Sequence, residues 1–282
     1  MKRTFLFVLL FTACAAASEN AGPMTDGSSE GAERPVRHVH LTCRFSDNNA
    51  DEEFDVRGVS AGLGADGVPG RMTGLQWGVL MAHSKSVSGI QGSFVFSGAG
   101  AFSGLQFGTV ASYARRGAGL QAGAVCIADP DREESGPICF SGIQLGVLCN
   151  VGSGEGIQVS LGMNAPPRNF VFLDGFRTVG YYEQSDRLRH SGAEPVWCGL
   201  QIAGIANTTC LLDGVQLALL SNCALRCRGV QIGALNRADE LQGVQFGLIN
   251  VADSGAGLQI GLINSFGSDG DRLILPFLNA RF

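Results

Sequence analysis

The stretch GVQIGALN, at residues 229–236, recurs almost unchanged as GVQFGLIN at 243–250 and GLQIGLIN at 257–264. Each copy reads glycine, apolar residue, glutamine, apolar residue, glycine, two apolar residues and asparagine. Apolar residues alternate with glycine and glutamine, which is the period of a β-strand. The copies begin 14 residues apart, and so short a unit cannot hold a strand together with a crossover helix. The stretch therefore predicts a repetitive, all-β protein.

The same unit extends across most of the 282-residue chain, with one glutamine in each copy. Successive glutamines are 14 or 15 residues apart, except at two places where the separation is 23 and 43 residues. A fixed period of this kind is the signature of a repeat architecture. The eleven motif glutamines are Gln76, Gln91, Gln106, Gln121, Gln144, Gln158, Gln201, Gln216, Gln231, Gln245 and Gln259.

Two all-β architectures fit this period. In a parallel β-solenoid about eleven coils stack ~4.8 Å apart, so that glutamine lies on glutamine as a hydrogen-bonded ladder. In an antiparallel meander each copy is one strand and a turn, and the sheet can close into an outer-membrane β-barrel. The copy at 199–207 carries an extra Ala203, which would flip later side chains of a flat strand but costs little at a coil corner. We therefore expect the solenoid, with the antiparallel sheet as the alternative.

The N-terminus has the order of a secretory signal. Two basic residues precede an apolar run at 5–11, and small residues follow. The run is shorter than the ~20 apolar residues that span a bilayer. Residues 11–14 are close to a lipobox, in which Cys14 would be lipidated after cleavage. The other interpretation is simple cleavage after Ala15 or Ala17.

These features divide the chain into an N-terminal leader and a repeat domain. His38 and His40 alternate in a short segment that we interpret as an edge strand before the first coil. The C-terminal segment from Ile274 to Phe282 is apolar at every second residue, which fits either the closing strand of a barrel or a cap on the last coil. We predict a signal peptide at 1–17, a flexible tether at 18–36, and a β-repeat domain at 37–282 with insertions at 126–141 and 163–198.

The longer insertion is rich in aromatic residues and arginine, which are enriched in binding hot spots. Long loops on rigid scaffolds often carry function. The insertion is therefore either a binding loop or a segment that packs over the edge of the solenoid. Its candidate binding residues are Arg168, Arg177, Tyr181, Tyr182, Arg187, Arg189 and Trp197.

Eight cysteines follow Cys14, an even number that favours disulfides in an exported chain. Cys126 pairs either with Cys139, across the shorter insertion, or with Cys149, which has the same position in the next repeat. The remaining candidates for two further bridges are Cys198, Cys210, Cys223 and Cys227.

The composition argues against several functions. The chain has a net charge of −5, whereas a nucleic-acid binder would be basic. GVSAG at 58–62 matches the nucleophile elbow of hydrolases, but Ser60 is better explained as the glutamine position of a degenerate first repeat. We therefore expect no enzyme, no cofactor and no metal site.

The repeated unit, its variant GLQIAGIAN at 199–207 and the ending LPFLN at 275–279 resemble the bacterial surface-repeat family known from spirochaetes and related genomes. The resemblance covers roughly residues 55–282. It implies an exported protein of the periplasm, outer membrane or cell surface, with an envelope or host-surface partner and a lipid anchor as its membrane contact. We expect a structural, adhesive or binding role. The alternative is an outer-membrane β-barrel with a pore or transport role.

Overall fold

The strand directions confirm the parallel β-solenoid. The computed structural model describes residues 34–42, 54–128, 139–165, 196–268 and 270–282, and these contain fourteen strands in one sheet and no helix. Neighbouring strands pair in parallel along the chain, and only the last pair is antiparallel. About eleven turns are stacked in this way. The alternative antiparallel arrangement, open or closed into a barrel, is therefore wrong.

Most strands continue around more than one side of a coil, and the longest, β5, has 33 residues. The strands are β1 Val36–Thr42, β2 Asp55–Gly62, β3 Ala65–Gly78, β4 Met81–Ser93, β5 Phe96–Ala128, β6 Phe140–Gly152, β7 Gly154–Ser160, β8 Met163–Ala165, β9 Val196–Ala203, β10 Ala206–Ala218, β11 Ser221–Ile232, β12 Leu235–Phe246, β13 Ile249–Phe266 and β14 Leu273–Arg281.

The first glycine of each motif copy allows the coils to approach one another. From Gly58 to Gly243 this residue has a φ between 118° and 156°, a region that residues with a side chain rarely adopt. A Cβ atom there would lie 2.0–2.4 Å from a backbone carbonyl oxygen of the preceding coil. Glycine is therefore required at this position by both backbone conformation and space.

The interior of each coil is narrow, and its residues form rows along the solenoid. One row consists of the motif glutamines, and a row of mostly small residues such as Ala99, Ala224 and Ala238 runs beside it. The wall opposite the motif contributes large apolar side chains, which alternate in part with glycine. The ring of Phe102 occupies the space that a Cβ on Gly117 would need. Complementary sizes in neighbouring coils thus keep the core filled.

The residue interpreted as an insertion, Ala203, is not one. It is in register with Ser160 of the preceding coil and Ala218 of the next, so it occupies the second glycine position of the motif. The extra residue of the longer coils lies at the following corner. The interval from glutamine to asparagine is six residues in the copies at 201 and 216 but five in those at 231, 245 and 259. A corner does absorb the difference in length, as predicted, but the extra residue is not Ala203.

The two ends of the solenoid differ. β1 is an edge strand, and it contains His38 and His40. At the other end β14 runs antiparallel to β13 and covers the last coil. The C-terminal segment is thus a cap and not the closing strand of a barrel.

The insertions are shorter than predicted, because strand structure continues into both of their ends. The repeat continues to Ala128 and resumes at Phe140, and it continues to Ala165 and resumes at Val196. The predicted signal peptide, including Cys14, lies outside the described residues, and so does the tether up to residue 33. β1 begins at Val36, one residue before the predicted domain boundary.

Candidate functional site: two amide ladders, a charge-free face and an insertion corner

The eleven motif glutamines lie in one buried row, each at most 1% exposed. The Nε2 of every glutamine after Gln76 donates a hydrogen bond to the Oε1 of the glutamine in the preceding coil. The ten donor-acceptor distances are 2.6–3.0 Å. The ladder runs without a break past both insertions, since Gln144 bonds to Gln121 and Gln201 to Gln158.

The second amide hydrogen of many of these glutamines crosses the coil. Gln106 Nε2 donates to the carbonyl of Tyr113 at 2.9 Å, and Gln245 Nε2 donates to that of Val251 at 3.2 Å. A primary amide has two donor hydrogens, so one holds the stack together and the other joins the two walls. The ladder therefore stabilises both the length and the cross-section of the solenoid.

A second ladder is built from asparagines at the next interior position. The Nδ2 of each asparagine before Asn264 donates to the Oδ1 of the asparagine in the following coil, at 2.8–2.9 Å. Asn164 belongs to this row, although it directly precedes the longer insertion and was not recognised in the sequence as part of it. Its position six residues after Gln158 is the signal that identifies it. The seven members are Asn150, Asn164, Asn207, Asn222, Asn236, Asn250 and Asn264.

The two ladders donate in opposite directions along the solenoid. Glutamine amides donate towards the N-terminal end, and asparagine amides donate towards the C-terminal end. Each ladder consequently ends on one buried oxygen with no hydrogen-bond partner, namely Gln259 Oε1 at one end and Asn150 Oδ1 at the other. The opposed amide dipoles cancel over most of the length.

Before Asn150 the same row is filled by smaller donors. Ser112 Oγ donates to the carbonyl of Ala122 at 2.6 Å, and Cys126 Sγ donates to that of Leu145 at 3.3 Å. Asn207 Nδ2 bonds to the equivalent carbonyl, that of Leu217, at 2.8 Å. From Ser97 to Cys126 the position therefore keeps a donor to the next coil without an asparagine, whereas Ala82 in the same row has none. Ser60 is buried in register with Gln76, as expected for a degenerate first repeat.

One face of the solenoid lacks charge over its whole length. We define the charge-free face as the residues from the first motif glycine to the fourth residue after the glutamine, in all twelve copies including the one at Ser60. None of these residues is Asp, Glu, Lys, Arg or His. The residues on either side of each glutamine are apolar or glycine. The corner that follows exposes large side chains such as Leu161, at 73%, and Leu219, at 76%.

The opposite wall carries the charges of the C-terminal coils. Arg226 bonds to Glu240 at 2.8 Å, and Asp253 contacts both Arg237 and Arg272, at 3.4 and 3.0 Å. The Arg226 hydrogen bond lowers the pKa of the Glu240 carboxyl. Exposed pairs of this kind contribute little to stability. Their importance here is that they give the solenoid one polar side and one apolar side.

Both insertions leave the solenoid at the same corner of the polar wall. Ala128 and Ala165 end the strands before them, in register with Gly152 and Val151 of the uninterrupted coil between. The strands resume in register as well, because Phe140 and Trp197 both pair with Gly154. The attachment points are thus two coils apart, about 10 Å.

Trp197 is not a binding-loop residue. Its side chain is fully buried within the apolar core, and its Nε1 has no hydrogen-bond partner. It continues the row of large side chains that includes Phe140 and Leu212, which explains an aromatic residue at this position. The other candidate binding residues, Arg168, Arg177, Tyr181, Tyr182, Arg187 and Arg189, lie outside the described residues.

Cys126 and Cys149 do not lie at the same position of neighbouring coils, as the repeat spacing had indicated. Cys149 is in register with Val125, and Cys126 is in register with Asn150, so the two cysteines are one position apart. Cys139 Sγ lies 2.8 Å from Ser153 Oγ. The structure shows Cys198, Cys223 and Cys227 as thiols, and the four cysteines that include Cys210 occupy unmatched positions in their coils. The disulfides remain predictions.

The buried thiols are expected to resist alkylation in the folded protein. Burial raises the pKa of Cys227 to about 12 and that of Cys223 to about 11, and only thiolates are good nucleophiles. Iodoacetamide at pH 8 should therefore modify Cys227 only after urea is added, whereas the partly exposed Cys198 should react earlier. Mass spectrometry of the peptides measures this order. Rapid native labelling of Cys227 would contradict its burial.

The same shift lowers stability at alkaline pH. Because the folded pKa of Cys227 lies above the unfolded value of 9.0, its contribution is complete below pH 9 and is lost as the pH rises towards 12.

The fold and these surfaces define a two-sided parallel β-solenoid. Comparisons with models of protein families, with curated proteins and with solved structures gave no match. No helix among the described residues has the length and apolar character needed to cross a membrane. Within the same residues no three His, Cys, Asp or Glu side chains come together as metal ligands.

Proposed function

We propose that the chain is an exported, non-enzymatic binding protein of the cell envelope that presents its two insertions from one side of a rigid solenoid. The observation that carries this proposal is the shared corner, where both insertions leave and re-enter the polar wall in register. Two insertions placed about 10 Å apart can contribute to one binding surface.

The solenoid beneath them has the properties of a scaffold. The glutamine ladder passes through these coils, and the asparagine ladder begins among them at Asn150. A buried, continuous row of hydrogen bonds rigidifies the structure around it, and function is often placed on loops that a rigid scaffold positions. Long insertions at this corner do not interrupt the stacking, so they can vary without cost to the fold.

The N-terminal sequence and the resemblance to surface-repeat proteins support export. A positively charged start, a short apolar run and small residues fit a secretory signal. Lipidation at Cys14 would hold the chain at a membrane, with residues 18–36 as a tether. Envelope or host-surface molecules are the partners that this location would provide.

Accessibility of the longer insertion to protease in intact cells tests the proposal. A recognition site for a specific protease is introduced within residues 166–195, and the purified variant must be cut. We expect cleavage in intact cells if the chain is on the surface, and cleavage after permeabilisation of the outer membrane if it is periplasmic. Protection under both conditions, until the cells are lysed, would place the chain in the cytoplasm and contradict the proposal.

A further inference from the structure

We propose that the charge-free face lies on a lipid surface and that the lipids it contacts have zwitterionic headgroups. The inference rests on the proposed envelope location, because it names the surface against which the solenoid would be held. It assigns opposite roles to the two sides of the molecule, with apolar residues towards lipid and the insertions away from it.

The extent of the face is the first observation. The two apolar rows beside the glutamines continue onto both terminal strands, because Val39 pairs with Val59 at one end and Leu278 with Ile260 at the other. The twelve copies, spaced ~4.8 Å apart, give a charge-free length of about 55 Å. The motif strand and its corner add a width of roughly 16 Å. A charge-free area of this size exceeds the ~300–600 Å² of the largest apolar patch on a typical soluble monomer.

The uniformity of the face is the second observation, and it favours lipid over a second copy of the chain. Protein interfaces carry about one hydrogen bond per 100–200 Å², and they need some feature that fixes register. Here the residue before the glutamine is Val, Leu or Ile in every coil, and from Leu145 onwards the residue after it is also a large apolar one, so two copies could slide by one coil there with little change in contacts. A lipid surface requires no register. The strands of this face are hydrogen-bonded to neighbouring coils, so few backbone polar groups would be left without partners in hydrocarbon.

The charges beside the face indicate the headgroup. The residue immediately before the motif glycine is exposed and charged in several coils, with both signs represented, at Arg57, Glu155, Asp213 and Arg228. These side chains border the apolar area along the edge where the motif begins. Mixed signs match headgroups that carry both charges, whereas a chain with a net charge of −5 is repelled by anionic lipid.

The exposed leucines that follow the motif would enter the lipid first. They lie at the corner, where Leu161, Leu219 and Leu248 are 73%, 76% and 54% exposed. Near the C-terminal end the face contains an apolar groove of about 530 Å³ that includes Phe246, Leu262 and Phe277. Phe277 has a φ of 66° and is 71% exposed, so an aromatic ring is presented at the surface from a strained backbone position.

Vesicle flotation tests the inference. The exported chain carrying Cys14→Ser, so that no acyl group contributes, is mixed with phosphatidylcholine vesicles and floated through a density gradient. We expect it to float. A variant with Leu161→Glu, Leu219→Glu and Leu248→Glu should partition at least about tenfold more weakly, since ~1.4 kcal/mol corresponds to tenfold. The matched control adds the same number of carboxylates to the polar wall, as His83→Glu, Ser86→Glu and Ser254→Glu, and should float like the parent chain.

Several results would overturn the inference. The parent chain staying at the bottom of the gradient, or the leucine variant floating as well as the control, would remove lipid as the occupant. Binding that strengthens when phosphatidylglycerol is added would show that the basic residues drive it. A parent dimer in light scattering that the leucine variant converts to monomer would assign the face to a second copy. Unchanged circular dichroism and urea midpoints verify that both variants are folded. Failure to float, together with an insertion that is cut in the envelope, would leave the proposed function intact.

Discussion

Replacing Gly229 with alanine is expected to destabilise the solenoid by more than about 4 kcal/mol, a range that few single substitutions reach. Gly229 has a φ of 139°, and a Cβ would lie 2.0 Å from the carbonyl oxygen of Gly214 and 2.9 Å from its carbonyl carbon. Both contacts are with backbone, so no side chain can move aside. Relief requires the coils to separate, which would lengthen the hydrogen bonds between β10 and β11. Urea denaturation followed by circular dichroism measures the loss.

Gly270→Ala provides the matched control for this effect. Gly270 also has a positive φ, of 101°, but nothing lies within 4 Å of the position that its Cβ would occupy. Its substitution should cost only the conformational penalty of about 1–2 kcal/mol. The difference between the two variants therefore isolates the close approach of the coils. Equal losses would mean that backbone conformation alone explains the glycine row, and the tight stacking would be contradicted.

The sequence was sufficient to predict the stacking, because a solenoid is close to one-dimensional. Each coil contacts mainly its neighbours, so the interval between Gln231 and Gln245 determines which residues lie on each other. Strand alternation places Gln231 on the side opposite Val230 and Ile232, but only the structure shows that the glutamine is on the interior side. A period and an alternation thus predict most of this fold.

The positions that the sequence did not predict are those where the period is interrupted. The sequence matches Cys126 with Cys149, because each lies five residues after its glutamine. The pairing between their strands shifts by one residue at the coil corner, so Cys149 lies beside Val125. Asn164 and Trp197 were assigned to the insertion because the motif stops there. Their burial depends on strand pairs that form across 30 or more residues, as in Asn164 with Asn207, and no local pattern indicates such pairs.

The two sides of the molecule also combine a feature that the sequence shows with one that only the structure shows. The absence of charge from the motif is visible in the sequence, but its meaning depends on knowing that the strands are parallel and that the motif forms one wall. The opposed directions of the ladders depend on side-chain geometry, since Gln245 Nε2 reaches back to Gln231 and Asn236 Nδ2 reaches forward to Asn250. The sequence identifies the residues of a ladder but not the direction in which their amides donate.

Replacing Gln245 with leucine is expected to destabilise the protein by about 2–5 kcal/mol. Leucine is of similar size, so the main loss is hydrogen bonding and not volume. Gln245 donates to Gln231 Oε1 at 2.8 Å and accepts from Gln259 Nε2 at 2.9 Å, and leaving a buried polar group without its partner costs ~1–3 kcal/mol. Gln259 Oε1 already lacks a partner, so the substitution would leave that amide only its bond to the Ser265 carbonyl.

Gln242→Leu in the same coil tests whether burial in the ladder is the cause. Gln242 is exposed, and its Nε2 donates to Glu240 Oε1 at 2.9 Å on the surface. Its replacement should therefore change the free energy of unfolding by no more than about 0.5 kcal/mol. The urea midpoint of each variant, with hydrogen exchange of the amides in β11–β13, separates a local defect from a global one. We expect protection to fall in the coils on both sides of Gln245, because each amide in the row satisfies its neighbour. Similar midpoints for the two leucine variants would contradict a stabilising role for the ladder, and the glycine row and core packing would then be left to hold the coils together.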